Sequence, residues 1–334
     1  MRAVSLVGLS VLFVALWSSG WVLSRFAVEE VSAIALLTMR YVIVFCVLLI
    51  VVTVAGYWRK VSMTELACHL SVGVLSHAIY LLSGVGAFEL GVSASLVAFV
   101  TALQPMITAY LSAPITGEVI SSRQWQGLII GFLAVLLLVS ESYRQGIATI
   151  ALSLPFISVL ALSIGALISR RLDVQNQRKK CTPIPIPFVL LIHSAGALFV
   201  LVPLSASQGQ LLVEVSKHQW VMLLWLALAV SLGAYAVMLI LLRHLSAMRV
   251  SSLAYFVPPA TLIQAHLLFN DVISVSNMVS LVLASIAVYF VMIPKAKQSR
   301  LRRWADRSKG FTLTPANSGL ISAVTAGRDP DIKL

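Results

Sequence analysis

The chain has 334 residues, of which 59% are hydrophobic and only 11% are charged, and its mean hydropathy is +0.97. Because a soluble protein carries roughly 25% charged residues, most of this apolar surface must face lipid or other lipid-embedded helices. The formal net charge is +12, but nearly all Lys and Arg residues flank apolar segments or follow residue 294, which excludes the folded basic surface of a nucleic-acid-binding domain.

Ten apolar segments of membrane-spanning length follow one another along the sequence. The first is kept as a helix rather than a cleaved signal peptide, because its run of about 21 residues can cross a bilayer and it lacks a small-residue cleavage site. The third and fourth segments are nearly continuous, so a count of nine or eleven also remains open. The predicted helices occupy residues 4–24, 33–56, 66–88, 92–113, 124–140, 147–169, 184–205, 218–242, 250–269 and 275–293.

The Lys and Arg residues predict the orientation of these helices. If the N-terminus is inside, the inside connections hold eleven of these residues and the outside connections hold three. Residues 295–334 add nine more and are expected to form a basic, disordered cytoplasmic tail. By the positive-inside rule, both termini are predicted to be cytoplasmic. The longest internal loop is expected at residues 170–183.

The sequence contains an internal repeat. An offset of 153 residues places Pro105 on Pro258 and Glu118 on Asp271 without a gap, and a Val-Ile-Ser triplet follows each acid. The helices after these two stretches also correspond. This match of a proline, an acid and a triplet indicates two related halves.

Each half contains five predicted helices. Because five is odd, the two halves must have opposite orientations in the membrane, an arrangement typical of secondary transporters. We therefore predict an all-α membrane protein with ten transmembrane helices, built as two inverted five-helix repeats, residues 4–140 and 147–293, around a central cavity.

Several stretches resemble the EamA-domain branch of the drug/metabolite transporter superfamily. The first helix contains LWSSGWVLSRFA and the second contains LLTMRY, while residues 92–138 carry small residues, a mid-helix Pro, a Gly-Glu pair and a Gly-bearing fifth helix. The second half departs from the pattern at Asn270-Asp271 and at Ser280. The resemblance covers about residues 4–293. It implies ten helices in two inverted halves, a bacterial inner membrane, and export of amino acids, other metabolites or drugs.

Arg40 is the main candidate for substrate binding. It lies about 9–12 Å into the second helix at 1.5 Å per residue. A charged residue at mid-membrane costs about 2.5–3.5 kcal/mol, so we expect it to face the bundle interior and bind a carboxylate. Extension of the side chain to the outer interface is the alternative.

Further polar, aromatic and bend-forming residues complete the predicted site. The other predicted substrate-binding residues are Trp17, Ser18, Tyr41, Tyr80, Gln104, Tyr235, Tyr255 and Gln264. The predicted hinges are Gly20, Pro105 and Pro258, with static kinks as the alternative for the prolines. Glu118 and Asp271 are predicted to be structural acids at helix ends. His266 is expected to be packed or interfacial rather than a proton relay.

These features predict a secondary transporter, an exporter of a small metabolite such as an amino acid across the cell inner (plasma) membrane. No phosphate-binding loop, catalytic triad or Cys/His cluster occurs in the sequence, so we expect no enzyme activity, cofactor or metal site. The expected partners are the substrate and the lipid bilayer, with protons and a second copy of the chain as candidates and no nucleic acid. Two alternatives are kept: a membrane enzyme acting on a lipid or lipid-linked substrate, and a non-transporting membrane scaffold.

Overall fold

In the computed structural model, the described residues are 3–92, 94–116, 121–144, 149–178, 182–211, 213–269 and 275–292. All of them lie in the first of two units into which the chain divides, Met1–Met292 and Ile293–Leu334. The predicted tail at 295–334 and the predicted helix-end acids Glu118 and Asp271 lie outside the described residues.

The described residues form helices and no strand, so the all-α class is confirmed for this part of the chain. The helices are α1 (Ala3–Ala27), α2 (Ala33–Val54), α3 (Met63–Gly73), α4 (Tyr80–Glu89), α5 (Ala94–Thr101), α6 (Gln104–Thr116), α7 (Ser122–Arg144), α8 (Thr149–Arg178), α9 (Ile186–Ser207), α10 (Lys217–Leu224), α11 (Tyr235–His244), α12 (Ala247–Ser251), α13 (Val257–Phe269) and α14 (Val275–Met292).

Six helical stretches among the described residues are long and apolar enough to cross a membrane. They are Ser5–Ala27, Ala33–Val54, Met63–Glu89, Ala151–Arg178, Ile186–Ser207 and Lys217–His244. Two shorter apolar helices are Leu96–Ser112 and Met278–Ala287. A bilayer core of about 30 Å requires about 20 helical residues, so the chain is a multi-pass membrane protein, while the number ten remains a prediction.

Serine side chains begin several of these helices. The Oγ of Ser32 accepts a hydrogen bond from the backbone N–H of Ala35 at the start of α2. Ser216 and Gln219 form a capping box at the start of α10. Such caps satisfy backbone donors that the first turn of a helix leaves without a partner, which is why these helices begin where the polar connections end.

Two long helices contain a π-helical stretch at corresponding positions. α3 continues into α4 through Val74–Ile79, and α10 continues into α11 through Trp225–Ala234. The 153-residue offset of the repeat carries residues 74–79 onto 227–232, inside the second stretch. We call them the first and second π stretches. A π-helical turn widens the backbone and often marks a functional site.

The matched prolines lie at matched helix breaks. α5 ends at Thr101 and α6 begins at Gln104, while a 3-10 stretch, Ser252–Phe256, joins α12 to α13. Pro105 and Pro258 are the second residues of α6 and α13, where the missing N–H of proline costs nothing because the first helical turn has free donors. Pro105 thus stands at the start of a new helix, whereas Pro258 lies on a helical path that continues through the 3-10 stretch. The hinge role of both prolines stays a prediction. Gly20, by contrast, lies within the continuous helix α1.

The helices contact one another in equivalent pairs. α2 packs against α9 and α7 against α14, and each pair joins corresponding helices of the repeat. α1 packs against α13 and against the second π stretch, while α8 packs against α6 and against the first π stretch. This exchange of equivalent contacts fits a two-repeat organisation.

Part of the predicted loop at 170–183 is helical, because α8 continues to Arg178. The side chains of this extension bond to neighbouring helices. Arg170 Nη1 donates to the Leu242 carbonyl at 3.0 Å, and Asn176 Nδ2 donates to Glu65 Oε1 at 3.0 Å. These bonds give the polar residues partners that the sequence pattern alone does not reveal.

Candidate functional site

A small cavity lies where α1 and α2 meet the ends of the two π stretches. Its volume is about 20 Å³, which is room for about one water molecule. Both halves of the repeat contribute to its lining, so it lies between them. We call it the central cavity; it is lined by Trp17, Gly20, Trp21, Ser24, Arg40, Tyr80, Leu81, Val230 and Tyr235.

Arg40 is the charged residue of this cavity. It is the eighth residue of α2 and is only 1% exposed. Its Nε donates to the Oγ of Ser231 in the second π stretch at 2.6 Å. Its Nη2 has no hydrogen-bond partner among the described residues, and no described carboxylate forms an ion pair with it. Because a buried charge without a counter-ion is costly, this guanidinium favours binding of an anion.

Aromatic rings form much of the lining of the central cavity. Trp17 Nε1 donates to the hydroxyl oxygen of Tyr80 at 3.1 Å. The ring centroids of Trp17 and Tyr235 are 4.8 Å apart, and those of Trp21 and Tyr80 are 5.6 Å apart. Tyr80 and Tyr235 are each the first residue after a π stretch. The 153-residue offset carries position 80 onto Gly233, so the two tyrosines are two positions apart in the repeat.

The first π stretch exposes a histidine and a backbone carbonyl to side chains of other helices. The hydroxyl of Tyr41 and Nδ1 of His77 are hydrogen-bonded at 2.8 Å. The Tyr235 hydroxyl donates to the carbonyl of Ser76 at 2.5 Å. The rings of His77 and Tyr235 are tilted by 33° to each other, with centroids 4.0 Å apart. Residues of α2 and α11 thus converge on His77, next to Arg40.

Two more buried histidines extend from His77 toward one end of the molecule. The ring of His193, on α9, lies 5.4 Å from the ring of His77. His193 Nε2 and His69 Nδ1 are within hydrogen-bond distance at 3.2 Å. We call His69, His193 and His77 the histidine row. The sequence analysis missed all three, although His69 and His77 stand eight residues apart on one predicted helix.

The histidine row ends at a second cavity, of about 270 Å³, at the end of the bundle where most internal Lys and Arg residues lie. His69 lines this cavity together with Asp173 and Asn176 of α8 and Arg243 and His244 of α11. We call it the basic-end pocket. His69 therefore stands between a polar opening and the buried row.

Hydrogen bonds join helices at both ends of the bundle. At the basic end, Arg243 Nη2 donates to the Ile184 carbonyl at 2.6 Å. At the opposite end, Glu89 Oε1 accepts a hydrogen bond from the backbone N–H of Ala33 at 2.6 Å, and Ser32 bonds to the side chain of Gln210. These bonds hold neighbouring helices together at each end of the bundle.

The structure brings together only part of the predicted site. Trp17, Gly20, Arg40, Tyr80 and Tyr235 line the central cavity. Tyr41 does not line the central cavity, but its hydroxyl is hydrogen-bonded to His77 beside the cavity. The remaining predicted binding residues lie elsewhere and are Ser18, Gln104, Tyr255 and Gln264.

Each of these four residues has other contacts. Ser18 Oγ donates to the Ala15 carbonyl within α1, at 3.1 Å. Gln104 is the first residue of α6, and its backbone carbonyl accepts from Ser163 Oγ. Tyr255 packs against Gly131 of α7 in a separate apolar cluster. Gln264 faces an apolar groove and donates to the Ala15 carbonyl at 3.1 Å. Their role in substrate binding stays a prediction.

Comparison with known proteins places this architecture in a family. One solved crystal structure superposes with a TM-score of 0.66 at 16% identity, covering 87% of this chain and 97% of the other; at that identity the likeness concerns the fold. No curated protein matches the chain. The sequence profile of the EamA-like transporter family matches residues 4–140 and again residues 148–293. A double match over most of the chain, on a helical bundle with a repeated contact pattern, shows that the chain belongs to the EamA-like transporter family.

Proposed function

We propose that the protein is a secondary transporter that carries a small carboxylate-bearing metabolite, such as an amino acid, out of the cell across the bacterial inner membrane. Membership of the EamA-like family indicates a membrane transporter of small molecules. The observation that carries the finer proposal is Arg40, a buried guanidinium whose Nη2 has no partner among the described residues, at a small cavity lined by both repeats.

The chemistry of the central cavity supports a substrate with a carboxylate and an apolar or cationic part. A guanidinium binds a carboxylate through parallel charge-assisted hydrogen bonds. The rings of Trp17, Trp21, Tyr80 and Tyr235 offer apolar surface and faces that attract an ammonium group. An α-amino acid has both groups within one small molecule, so we place its carboxylate at Arg40 and the rest against the rings.

Alternating access is the proposed mechanism. The cavity has room for about one water, so a metabolite enters only if the halves separate at one end. The ties at Glu89 and at Arg243 lie at opposite ends of the bundle. Breaking one set while the other holds would open the cavity to one side of the membrane, as inverted repeats allow.

The same proposal includes the membrane arrangement. Ten spans in two inverted five-helix repeats, residues 4–140 and 147–293, place both termini in the cytoplasm, in accordance with the Lys and Arg distribution. Residues 295–334 would then form a cytoplasmic tail. Protons and a second copy of the chain are candidate partners.

No described feature favours the two alternative functions. A membrane enzyme would need clustered acids or histidines around a polar opening where a lipid headgroup could react. In the described residues, the acids near the basic-end pocket are engaged in bonds between helices. A scaffold would not need a buried, unpaired cation.

Counterflow in proteoliposomes tests the proposal. Vesicles are preloaded with an unlabelled mixture of the twenty protein amino acids, and each labelled amino acid is added outside in turn. The proteins compared are wild type, Arg40→Ala, Arg40→Lys and the control Arg25→Ala, whose arginine is an exposed partner of Glu29. A hydrogen bond to a charged group contributes about 1.5–3 kcal/mol, so counterflow should fall by about tenfold or more in Arg40→Ala.

The outcomes separate carriage from the role of Arg40. Transient accumulation of a labelled amino acid in wild type and in Arg25→Ala, and its loss in Arg40→Ala, supports the whole proposal. Accumulation that survives in Arg40→Ala keeps the transporter and removes Arg40 from the binding site. If the wild-type protein gives no accumulation, either in counterflow or with an imposed proton gradient, an amino acid transporter is the wrong assignment.

A further inference from the structure

We propose that His69, His193 and His77 form a proton relay between the basic-end pocket and the central cavity, and that the transporter carries a proton together with its anionic substrate. The inference rests on the proposed function and adds to it the coupling ion, its route and the sign of the coupling. The supporting observations are the backbone contact that brings the three rings together, their spacing, and the position of Arg40 at the inner end.

Two glycines bring the helices of the row together. A Cβ atom on Gly73 of α3 would collide with the backbone carbonyl of His193, and one on Gly196 of α9 would collide with the carbonyl of Leu70. α3 and α9 therefore touch backbone to backbone, as small residues allow in membrane helices. This close approach places the imidazole of His193 between His69 and His77.

The spacing of the rings suits stepwise proton transfer. Nδ1 of His69 and Nε2 of His193 are 3.2 Å apart, so a proton can pass directly between them. The rings of His193 and His77 have centroids 5.4 Å apart, and Nε2 of His77 is buried with no hydrogen-bond partner among the described residues. Rotation of a ring, or one intervening water, completes this second step.

The protons balance along the row. A neutral imidazole has one N–H donor and one acceptor nitrogen. A proton that binds His69 from the basic-end pocket releases the proton on Nδ1 to Nε2 of His193. His193 then releases a proton from its other nitrogen to Nε2 of His77. One proton has entered from the pocket, and His77 holds one as an imidazolium with Nδ1 still bonded to Tyr41.

Charged groups face both ends of the row. The charged and titratable groups that face it are, from the pocket inward, Glu65, Asp173, Arg243, Tyr41, Tyr235 and Arg40. Glu65 attracts a proton to His69 at the entrance, and Arg243 opposes it there. At the inner end, the positive charge of Arg40 acts on His77 and opposes a second positive charge beside it.

This last contact couples the proton to the substrate. A carboxylate bound to Arg40 neutralises the guanidinium and thereby favours the imidazolium of His77. By linkage, a proton on His77 favours the carboxylate by the same factor. The two ligands therefore bind together and cross in the same direction, and net flow follows the sum of their two gradients. An inward proton gradient opposes export, so the proposed export proceeds when the outward gradient of the substrate is the larger of the two.

The arrangement of the three imidazoles does not fit a metal site. They follow one another in a row, with only one pair in direct contact. No group of three or more His, Cys, Asp or Glu side chains that could hold a metal ion occurs within the described part of the chain. A linear arrangement of three imidazoles suits stepwise proton transfer, which is the role we assign to the histidine row.

The relay is tested with the full chain in proteoliposomes that contain the pH-sensitive dye pyranine. The proteins are wild type, His193→Gln, His69→Gln and the control His218→Gln, whose histidine is exposed and away from the row. The probe is the amino acid with the largest wild-type counterflow. Each protein is measured twice: counterflow of the labelled probe, and entry of protons when the unlabelled probe is added outside empty vesicles.

Counterflow and substrate-linked proton entry can be lost independently of each other. Counterflow needs only the loaded carrier, which can retain its proton, whereas net proton entry requires release through the row. We expect both glutamine variants of the row to keep counterflow and lose substrate-linked proton entry, while His218→Gln keeps both. His69→Gln repeats the test if His193→Gln does not fold.

Other results overturn the inference. Proton entry in both row variants equal to wild type, with counterflow intact, would show that the proton uses another route. Wild-type counterflow without proton entry would show that there is no proton coupling, and the transporter assignment would stand. If wild-type counterflow is absent for every amino acid, the proposed function fails first and the relay with it.

Discussion

The Nε of Arg40 on α2 donates a 2.6 Å hydrogen bond to the Oγ of Ser231 in the second π stretch, 191 residues further along the chain. The bond joins the two family matches, residues 4–140 and 148–293, at the central cavity. It fixes one edge of the guanidinium and leaves Nη2 without a partner among the described residues. Ser231 is therefore a positioning residue for Arg40.

Replacement of Ser231 by alanine should weaken substrate binding. Loss of the acceptor leaves Arg40 Nε buried without its bond, and an unsatisfied buried group costs about 1–3 kcal/mol. We expect the half-saturating concentration in counterflow to rise by about tenfold. Ser71→Ala is the control, because Ser71 is exposed and bonds within its own helix to the Ala67 carbonyl. An equal change in both variants would contradict the positioning role.

Alanine at Gly73 should have the opposite effect to alanine at Gly86. A Cβ at position 73 meets the backbone of His193, whereas one at position 86 meets nothing within 4 Å. Gly73→Ala should lower the temperature of thermal unfolding, because two backbones must separate. Gly86→Ala should leave it unchanged or raise it slightly, since alanine favours a helix by up to about 1 kcal/mol over glycine.

Thermal unfolding of the purified protein in detergent compares the two glycine variants directly. Substrate-linked proton entry should also fall in Gly73→Ala, because the displaced helices move His69 away from His193. A Gly73→Ala protein as stable as Gly86→Ala would mean that α3 and α9 are not in backbone contact.

Substrate affinity should depend on pH with a defined sign. If a proton on His77 favours the carboxylate at Arg40, the half-saturating concentration must fall as the pH falls, by at most about tenfold per pH unit for one coupled proton. His77→Gln should remove this dependence. His218→Gln should retain it. Equilibrium binding of the labelled probe across a pH series measures the effect, and a half-saturating concentration that rises on acidification would refute the predicted sign.

Glu89 should hold one end of the bundle closed. Its carboxylate accepts from the backbone N–H of Ala33 at 2.6 Å, and an acid at a helix start contributes about 0.5–2 kcal/mol. In a background without the native cysteines, Ser24→Cys reports access to the central cavity. Glu89→Ala should speed its labelling by a water-soluble thiol reagent, whereas Glu30→Ala, at an exposed position, should not. Equal labelling rates in the Glu89→Ala and Glu30→Ala proteins would show that Glu89 does not control access to the central cavity.

The sequence predicted Arg40 because a lone charge in an apolar segment is costly wherever it lies, so its burial inside the bundle follows from the energy alone. The same reasoning predicted the aromatic candidates of α1 and of the long helices, since polar tips within apolar segments need partners. The all-α class and the repeat followed from length, apolarity and the 153-residue offset. These are local properties or exact matches that the sequence displays directly.

The histidine row could not be predicted in that way. His69 and His193 are 124 residues apart, and their contact depends on Gly73 and Gly196 meeting across two helices. Tyr255 shows the opposite case, a residue that was predicted to bind substrate and that lies outside the central cavity. It shares its residue type with Tyr235, but its ring packs on Gly131 because the 3-10 stretch turns it toward α7. Helix register and helix pairing decide such contacts, and neither is visible in a single sequence.

The two π stretches have a mechanical consequence for Tyr80 and Tyr235. In an α-helix each residue turns the chain by about 100° and advances it by 1.5 Å. A π turn contains an extra residue, so a shift of that residue by one position along the helix rotates one half of the helix against the other without breaking it. Since each tyrosine follows directly after a π stretch, such a shift turns its ring about the helix axis together with the half of the helix that follows it. Each half of the chain thus has a point within a helix about which rotation is possible, next to the lining of the central cavity.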